Sequence, residues 1–327
     1  MKTIKKLSIL IIISCILSCS SNDSSNEDET KATVKDIYVC GLEQRSSTGK
    51  YIATVWKNGV ATSLTDGTND AIANDITVSG NDVYVVGYEE NVNGAQVARL
   101  WKNGVQVDFV NTPRSAADFV EVSGNEVYII GLLYENNSNV QKIWKNGIAS
   151  TLQGDTRSMA VNNNDVYTVG IQDGNARVWT NGAVSSLTNG YSSSGAYDVE
   201  IKNNDVYIVG AEKIGNASVA RLWKNGVASN LSDGKISTTA VNISITGKDV
   251  YVSGYESTSS QFNSKVWKNG EVIWYKENFK MNDLQAVGQD FYLLTNLGGA
   301  KIVKNGFSED LSSAYNSYAY ALFITTN

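Results

Sequence analysis

Any chemistry in this chain is done without histidine, because its 327 residues contain none. That absence removes the Ser-His-Asp triad, the Cys-His pair and the HExxH zinc helix together. What remains is carboxylate chemistry. Asp75, Glu121, Asp198, Glu200 and Asp283 recur on similar strand-like segments. Acids gathered near one axis could serve as the proton donor and the base or nucleophile of a glycoside hydrolase. They could equally face water in a channel. Arg114 and Arg157 stand at or just before two of the same segments and would suit an anionic ligand. Asp66-Gly67-Thr68-Asn69-Asp70 offers oxygen ligands but lacks the full calcium ladder and its late bidentate Glu, so it reads as a turn. Cys40 follows Val39 in an apolar run and has no partner for a metal site, so it reads as a small buried residue. No metal and no cofactor is expected.

The elements that must position these groups repeat about every 40 residues. Seven hairpins carry the pattern Trp-Lys-Asn-Gly, starting at Trp56, Trp101, Trp144, Trp223 and Trp267 and, in altered form, at Trp179, where Thr180 replaces the Lys, and at Val303, which replaces the Trp. Asn-Gly suits a type I′ turn, whose two central residues need positive φ. Upstream of each hairpin an acidic residue opens a β-branched and aromatic run: Asp36-Ile37-Tyr38, Asp82-Val83-Tyr84, Glu126-Val127-Tyr128, Asp165-Val166-Tyr167, Asp205-Val206-Tyr207, Asp249-Val250-Tyr251 and Asp290-Phe291-Tyr292. Such runs read as strands. An all-strand repeat of this length predicts a β-propeller of four-stranded antiparallel blades.

A further strand precedes six of the seven tyrosines at a fixed offset. Apolar pairs fall eight and six residues upstream, as Ile76 and Val78, Val120 and Val122, Met159 and Val161, Val199 and Ile201, Ile243 and Ile245, and Leu284 and Ala286. The first repeat has no such strand before it. Ala319–Ile324 has the spacing, with Leu322 and Ile324 in the key places, and no second strand follows it. The C-terminal strand is therefore expected to complete the first blade and close a ring of seven. Each Trp recurs with the blade, so it is expected to pack between blades rather than to stack on a sugar. The Lys after it reads as a solvated turn residue, and the acid opening each second strand as a partner of turn amides.

The N-terminus reads as an export signal. Lys2, Lys5 and Lys6 precede an apolar stretch from Ser8 to Leu17, too short to span a bilayer. It ends in Ile16-Leu17-Ser18-Cys19, which resembles the lipobox of bacterial lipoproteins. That resemblance implies lipidation of Cys19 and cleavage before it. Cys15 would leave with the signal, so Cys40 would have no disulfide partner. Loss of residues 1–18 removes three positive charges and takes the net charge from −6 to −9. An acidic domain without a basic cluster is a poor candidate for nucleic acid. Residues 20–31 hold no apolar side chain and read as a disordered tether. Their acidic run resembles the export signal of surface lipoproteins of Bacteroidota. The expected organisation is a signal over 1–18, a lipidated tether over 19–32 and a propeller over 33–327. The expected location is the cell envelope, as a surface-exposed outer-membrane lipoprotein.

The repeat resembles WD40 and kelch blades in length and strand count. It lacks the Trp-Asp and Gly-His of the first and the paired glycines of the second. In such a blade the loops after strands two and four share one face. Here those loops vary and are rich in Asn, Ser, Gly and Tyr, while the Ser-Gly-Asn and Lys-Asn-Gly turns of the other face are nearly identical. Variable loops on a fixed scaffold suit binding. Arg114, Arg157, Tyr191 and Tyr197 are the expected contact residues, near the mouth of the axial channel. The expected role is a binding module for a protein or a glycan. The alternatives are a structural subunit of an envelope complex and a carboxylate-based hydrolase.

Overall fold

The structure is a computed structural model and describes residues 32–44, 49–110, 112–190, 193–258, 261–312 and 316–327. Seven four-stranded antiparallel sheets form a ring, and the inner strands of neighbouring blades touch around its full circumference. In blades two to seven the inner strands are Ala71–Ser79, Ser115–Ser123, Asp155–Asn162, Ser194–Lys202, Ser237–Thr246 and Asp283–Val287. The inner strand of blade one is the last of the chain, Ser317–Thr326, paired with Val34–Gln44. Val39 faces Leu322 and Ile37 faces Ile324 in that pairing, so the ring closes as the displaced strand predicts. No helix among the described residues is long and apolar enough to cross a membrane.

One face of the ring is built from seven copies of a closed unit. Each hairpin Asn sits at φ near 50° and each following Gly near 80–90°, as a type I′ turn requires. The Asn side chain then bridges back to the second strand. In blade two Asn103 Oδ1 accepts from Val83 N at 2.9 Å, and Asn103 Nδ2 donates to Asp82 at 2.8 Å. Lys102 Nζ lies 2.7 Å from Asp82 and 5.0 Å from the centre of the Tyr84 ring. The same bonds recur in the other blades, except that Thr180 replaces the Lys in blade four. The hairpin Lys is thus half-exposed and paired, not merely solvated. The acid binds the Asn side chain and the Lys rather than turn amides. Lys and Asn hydrogen bonds hold the Asp82, Asp205 and Asp249 carboxyls below the usual range.

The indoles are buried and point backwards around the ring. Trp101 packs among Tyr38, Cys40, Ala53 and Val55 of blade one, Trp223 among Val169, Ala176 and Leu187 of blade four, and Trp56 among Tyr292, Leu294 and Ile302 of blade seven. Where blade seven has Val303 instead, Trp274 and Phe279 fill the space from the side of blade six. Cys40 is buried in the seam between blades one and two, its Sγ 3.7 Å from the Ala73 carbonyl, and burial pushes its thiol up.

Each of the first six second strands holds a glycine three residues after the tyrosine: Gly41, Gly87, Gly131, Gly170, Gly210 and Gly254. A Cβ on any of them would lie 1.9–2.1 Å from a carbonyl oxygen of the inner strand. That strand bulges towards the glycine, with a register shift between Ala73 and Asp75 in blade two and between Ala196 and Asp198 in blade five. Backbone cannot give way as a side-chain tip can. Gly87→Ala is expected to cost about 2–4 kcal/mol. Gly80→Ala, in open space at φ 61°, should cost about 1 kcal/mol. Chemical denaturation of both variants checks the difference.

Candidate functional site

The bulges create the site. Each inserts one extra residue into an inner strand at the axis. Asn74, Arg157, Tyr197 and Val241 are the inserted residues of blades two, four, five and six, and Tyr320 that of blade one. All five line an axial cavity of about 590 Å³. Asn74 Nδ2 donates to the Ala117 carbonyl and Asn282 Nδ2 to the Ala319 carbonyl, so two of the cavity's amides also tie neighbouring blades together. Arg157 is exposed and ion-paired with Asp155. Tyr197 lies over Gly195, whose Cβ would meet its hydroxyl at 2.8 Å, and burial pushes that hydroxyl's pKa up.

Asp75 and Asp198 stand one residue beyond a bulge and Asp283 opens the inner strand of blade seven, and all three have a structural task. Asp75 accepts from Ile76 N at 2.9 Å and from Val120 N of blade three at 2.8 Å. Asp198 accepts from Val199 N, from Ser158 Oγ of blade four and from Ile243 N of blade six. Asp283 accepts from Leu284 N and from Leu322 N, both at 2.7 Å, and so fastens blade seven to the closing strand. Glu200 reaches Ile245 N at 2.8 Å in the same way. Where other blades lack an acid, Ser244 Oγ and Thr246 Oγ1 take the amides of Ala286 and Gly288. These carboxylates are staples between inner strands, a role their strand positions alone do not disclose. Among the described residues no cluster of three or more acids or thiols is placed to hold a metal ion.

The staples are half-buried against the wall of the axial cavity. Burial pushes Asp75 up to about 7, Asp198 to about 6 and Asp283 to about 8. Glu121 and Glu200 rise to about 8, first by burial and then by the aspartates beside them. A folded-state pKa above the unfolded value means that the folded chain binds more protons. The stabilisation is full below about pH 4, the unfolded carboxyl range, and is lost as pH rises through 6 to 8. The melting temperature is therefore expected to be higher at pH 5 than at pH 9. Glu121, whose backbone partner is the adjacent Val122 of its own strand, gives the sharper check. Glu121→Gln should raise the melting temperature at pH 9 and barely change it at pH 5.

Arg114 does not join Arg157 at the axis, contrary to the expectation that both flank the channel mouth. It opens a second cleft of about 450 Å³ between blades two and three, lined by Asn93, Gln96, Asn139, Ala116 and Leu132 among others. Its guanidinium lies 3.5 Å from the centre of the Tyr134 ring. The Arg114 backbone has φ 64°, and every other described non-glycine residue with positive φ is an Asn or an Asp. Two hydrogen bonds hold it there, Arg114 N to the Gln96 carbonyl at 2.7 Å and Tyr134 N to the Arg114 carbonyl at 2.9 Å. Residues so placed cost of order 1–3 kcal/mol and gather at functional sites. Tyr191 and Cys19 lie outside the described residues. The Asp66 segment is a turn, with Thr68 N donating to Asp66 Oδ1 at 2.8 Å and Gly67 at φ 74°.

Sequence reasoning missed Tyr134, Tyr320 and the bulge. A signal was present, since an Ala precedes the inserted residue in five blades (Ala73, Ala117, Ala196, Ala240 and Ala319) opposite the strand glycine.

The fold and its axial cavity define a seven-bladed β-propeller closed through its first blade. No family model and no curated sequence matches the chain. Among solved structures it is similar to a puromycin-hydrolysing peptidase of Mycobacterium tuberculosis, with TM-score 0.60 and 12% identity over 88% of this chain and 54% of that one. It is similar to an acylaminoacyl peptidase of Pyrococcus horikoshii, with TM-score 0.53 and 11% identity over 88% and 53%. The β-propeller domain of the Trilobed protease from Pyrococcus furiosus matches with TM-score 0.50 and 12% identity over 73% and 84%, and is described as having an open velcro topology. The chain spans about half the length of the two peptidases. At these identities the likeness concerns the fold alone.

Proposed function

We propose that this protein is a binding module of the cell envelope, anchored through a lipid on Cys19 and displayed on the outer membrane of a Bacteroidota-type cell. Its ligand, a glycan or a protein, is held on the long-loop face. The observation that carries the reading is the contrast between the two faces. On one, each acid, Asn and, in six blades, Lys is already satisfied within the repeated hairpin unit. On the other, the axial cavity and the Arg114 cleft present Arg, Tyr and Asn side chains that differ from blade to blade. Such groups give adaptable polar contacts at low entropic cost. Asp75, Asp198 and Asp283 commit both oxygens to hydrogen bonds within the fold, which favours binding over carboxylate hydrolysis.

Crosslinking in the native host, followed by identification of the captured molecule, tests the reading. Capture should fall in an Arg114→Ala, Arg157→Ala, Tyr197→Ala variant and persist in a Lys57→Ala, Lys224→Ala variant of the opposite face. The reverse pattern would mean that the faces are assigned backwards. Cys19→Ala should leave the chain unprocessed or release it into the soluble fraction. A mature N-terminus beyond residue 19 without lipid would end the anchor reading.

A further inference from the structure

The cleft between blades two and three differs from the axial cavity in its charge. The axial cavity is lined by Asp75, Glu121, Asp198, Glu200 and Asp283 as well as by Arg157. The cleft is lined by no carboxylate, and Arg114 is its charged group. The other described arginines are all engaged by side chains: Arg99 by Glu89, Arg157 by Asp155, Arg177 by Ser186 and Arg221 by Glu212. Arg114 instead stacks on Tyr134, which fixes the plane of the guanidinium and leaves its edge donors clear of the ring. A strained backbone, locked by hydrogen bonds on both sides, sets the direction from which that side chain leaves the strand.

We propose that this cleft is the subsite for the carboxylate of an acidic sugar, with Arg114 as its anchor; the inference rests on reading the long-loop face as the binding surface. A planar carboxylate matches the two-pronged edge of a guanidinium. The cleft volume of about 450 Å³ falls in the usual small-ligand range of roughly 300–1,000 Å³. Asn93, Gln96 and Asn139 line the cleft together with the Arg. Each amide both donates and accepts, as sugar hydroxyls do. The apolar lining is limited to Ala95, Ala116 and Leu132, too little to anchor the side chain of an apolar peptide.

Calorimetric titration of the full chain with trigalacturonate and with its fully methyl-esterified form tests the proposal. The ester keeps the hydroxyls and loses the charges. The uronate should bind at least tenfold more tightly than the ester. Arg114→Lys should weaken uronate binding at least tenfold, because an ammonium cannot make the paired contact. Arg114→Asn should abolish binding while leaving the melting temperature equal or higher, since Asn is the residue this chain uses elsewhere at positive φ. Equal affinity for acid and ester, unchanged binding by Arg114→Asn, or no heat at millimolar trigalacturonate each overturns the proposal. Binding of a neutral glycan that is lost in the Arg157→Ala, Tyr197→Ala variant would remove the acidic subsite yet leave the long-loop face as the binding surface.

Discussion

Deletion of residues 317–327 is expected to abolish the cooperative unfolding transition and to turn the protein into an aggregating species. The deleted segment supplies the whole inner strand of blade one. It buries Ala319, Ala321, Leu322 and Ile324, and it provides the Leu322 amide that Asp283 holds at 2.7 Å. Without it, Val34–Gln44 becomes an open edge of eleven residues with a largely apolar centre, the kind of edge that natural sheets blunt or cover. The loss should exceed about 5 kcal/mol, a large part of the stability of an ordinary domain. A circular permutant separates closure from strand content. Asn327 N already donates to the Thr33 carbonyl at 3.0 Å, so the two ends lie side by side. Joining residue 327 to residue 33 and opening the chain between residues 312 and 316 should preserve a single melting transition. A deletion variant that melts as the parent does, or a permutant that fails to fold, would defeat the closure account.

Trp223→Ala is the point substitution expected to cost most, about 3–5 kcal/mol, the range for truncating a buried aromatic side chain. Trp223 is fully buried and joins blade five to Val169, Ala176 and Leu187 of blade four. No neighbour is free to collapse into the space, because each blade is held from both sides. Lys224→Ala, one residue away, should leave the denaturation midpoint almost unchanged. Its ion pair with Asp205 and its contact with Tyr207 lie at the exposed rim, where such interactions contribute little. Denaturant melts of the two variants give the comparison. A Trp223→Ala protein that stays stable and loses its ligand would make the Trp a binding residue instead of a seam between blades.

Much of the fold was legible because a propeller repeats its own instructions. The Asn-Gly turns and the acid-x-Tyr runs each state a local rule seven times, the displaced strand at the C-terminus states the closure once, and local rules are what a single sequence exposes. The burial of the indoles followed from the same periodicity. The site was less legible. Asp75, Asp198 and Asp283 sit where a hydrolase could hold its acids, and only the register of one blade against the next shows that they bind the Val120, Ile243 and Leu322 amides. Their partners lie 39 to 45 residues away, in the next blade or, for Asp283, in the strand that completes blade one.

The amino-acid sequence by itself determined the blade, the number of blades and the manner of closure, because turn chemistry, alternation and repeat length act over a few residues at a time. Tertiary structure alone decided where chemistry can occur. The glycine at position 87 and the bulge at Asn74 belong to different strands, and their close approach opens the axial cavity only once the strands are paired. Arg114 and Arg157 look equivalent in the chain, each near the start of an inner strand. Packing sends one to the axis beside Asp155 and the other onto Tyr134 in a cleft of its own. The direction of the Arg114 side chain is set by backbone bonds to Gln96 of blade two and Tyr134 of blade three, and those form only when the two blades pack together.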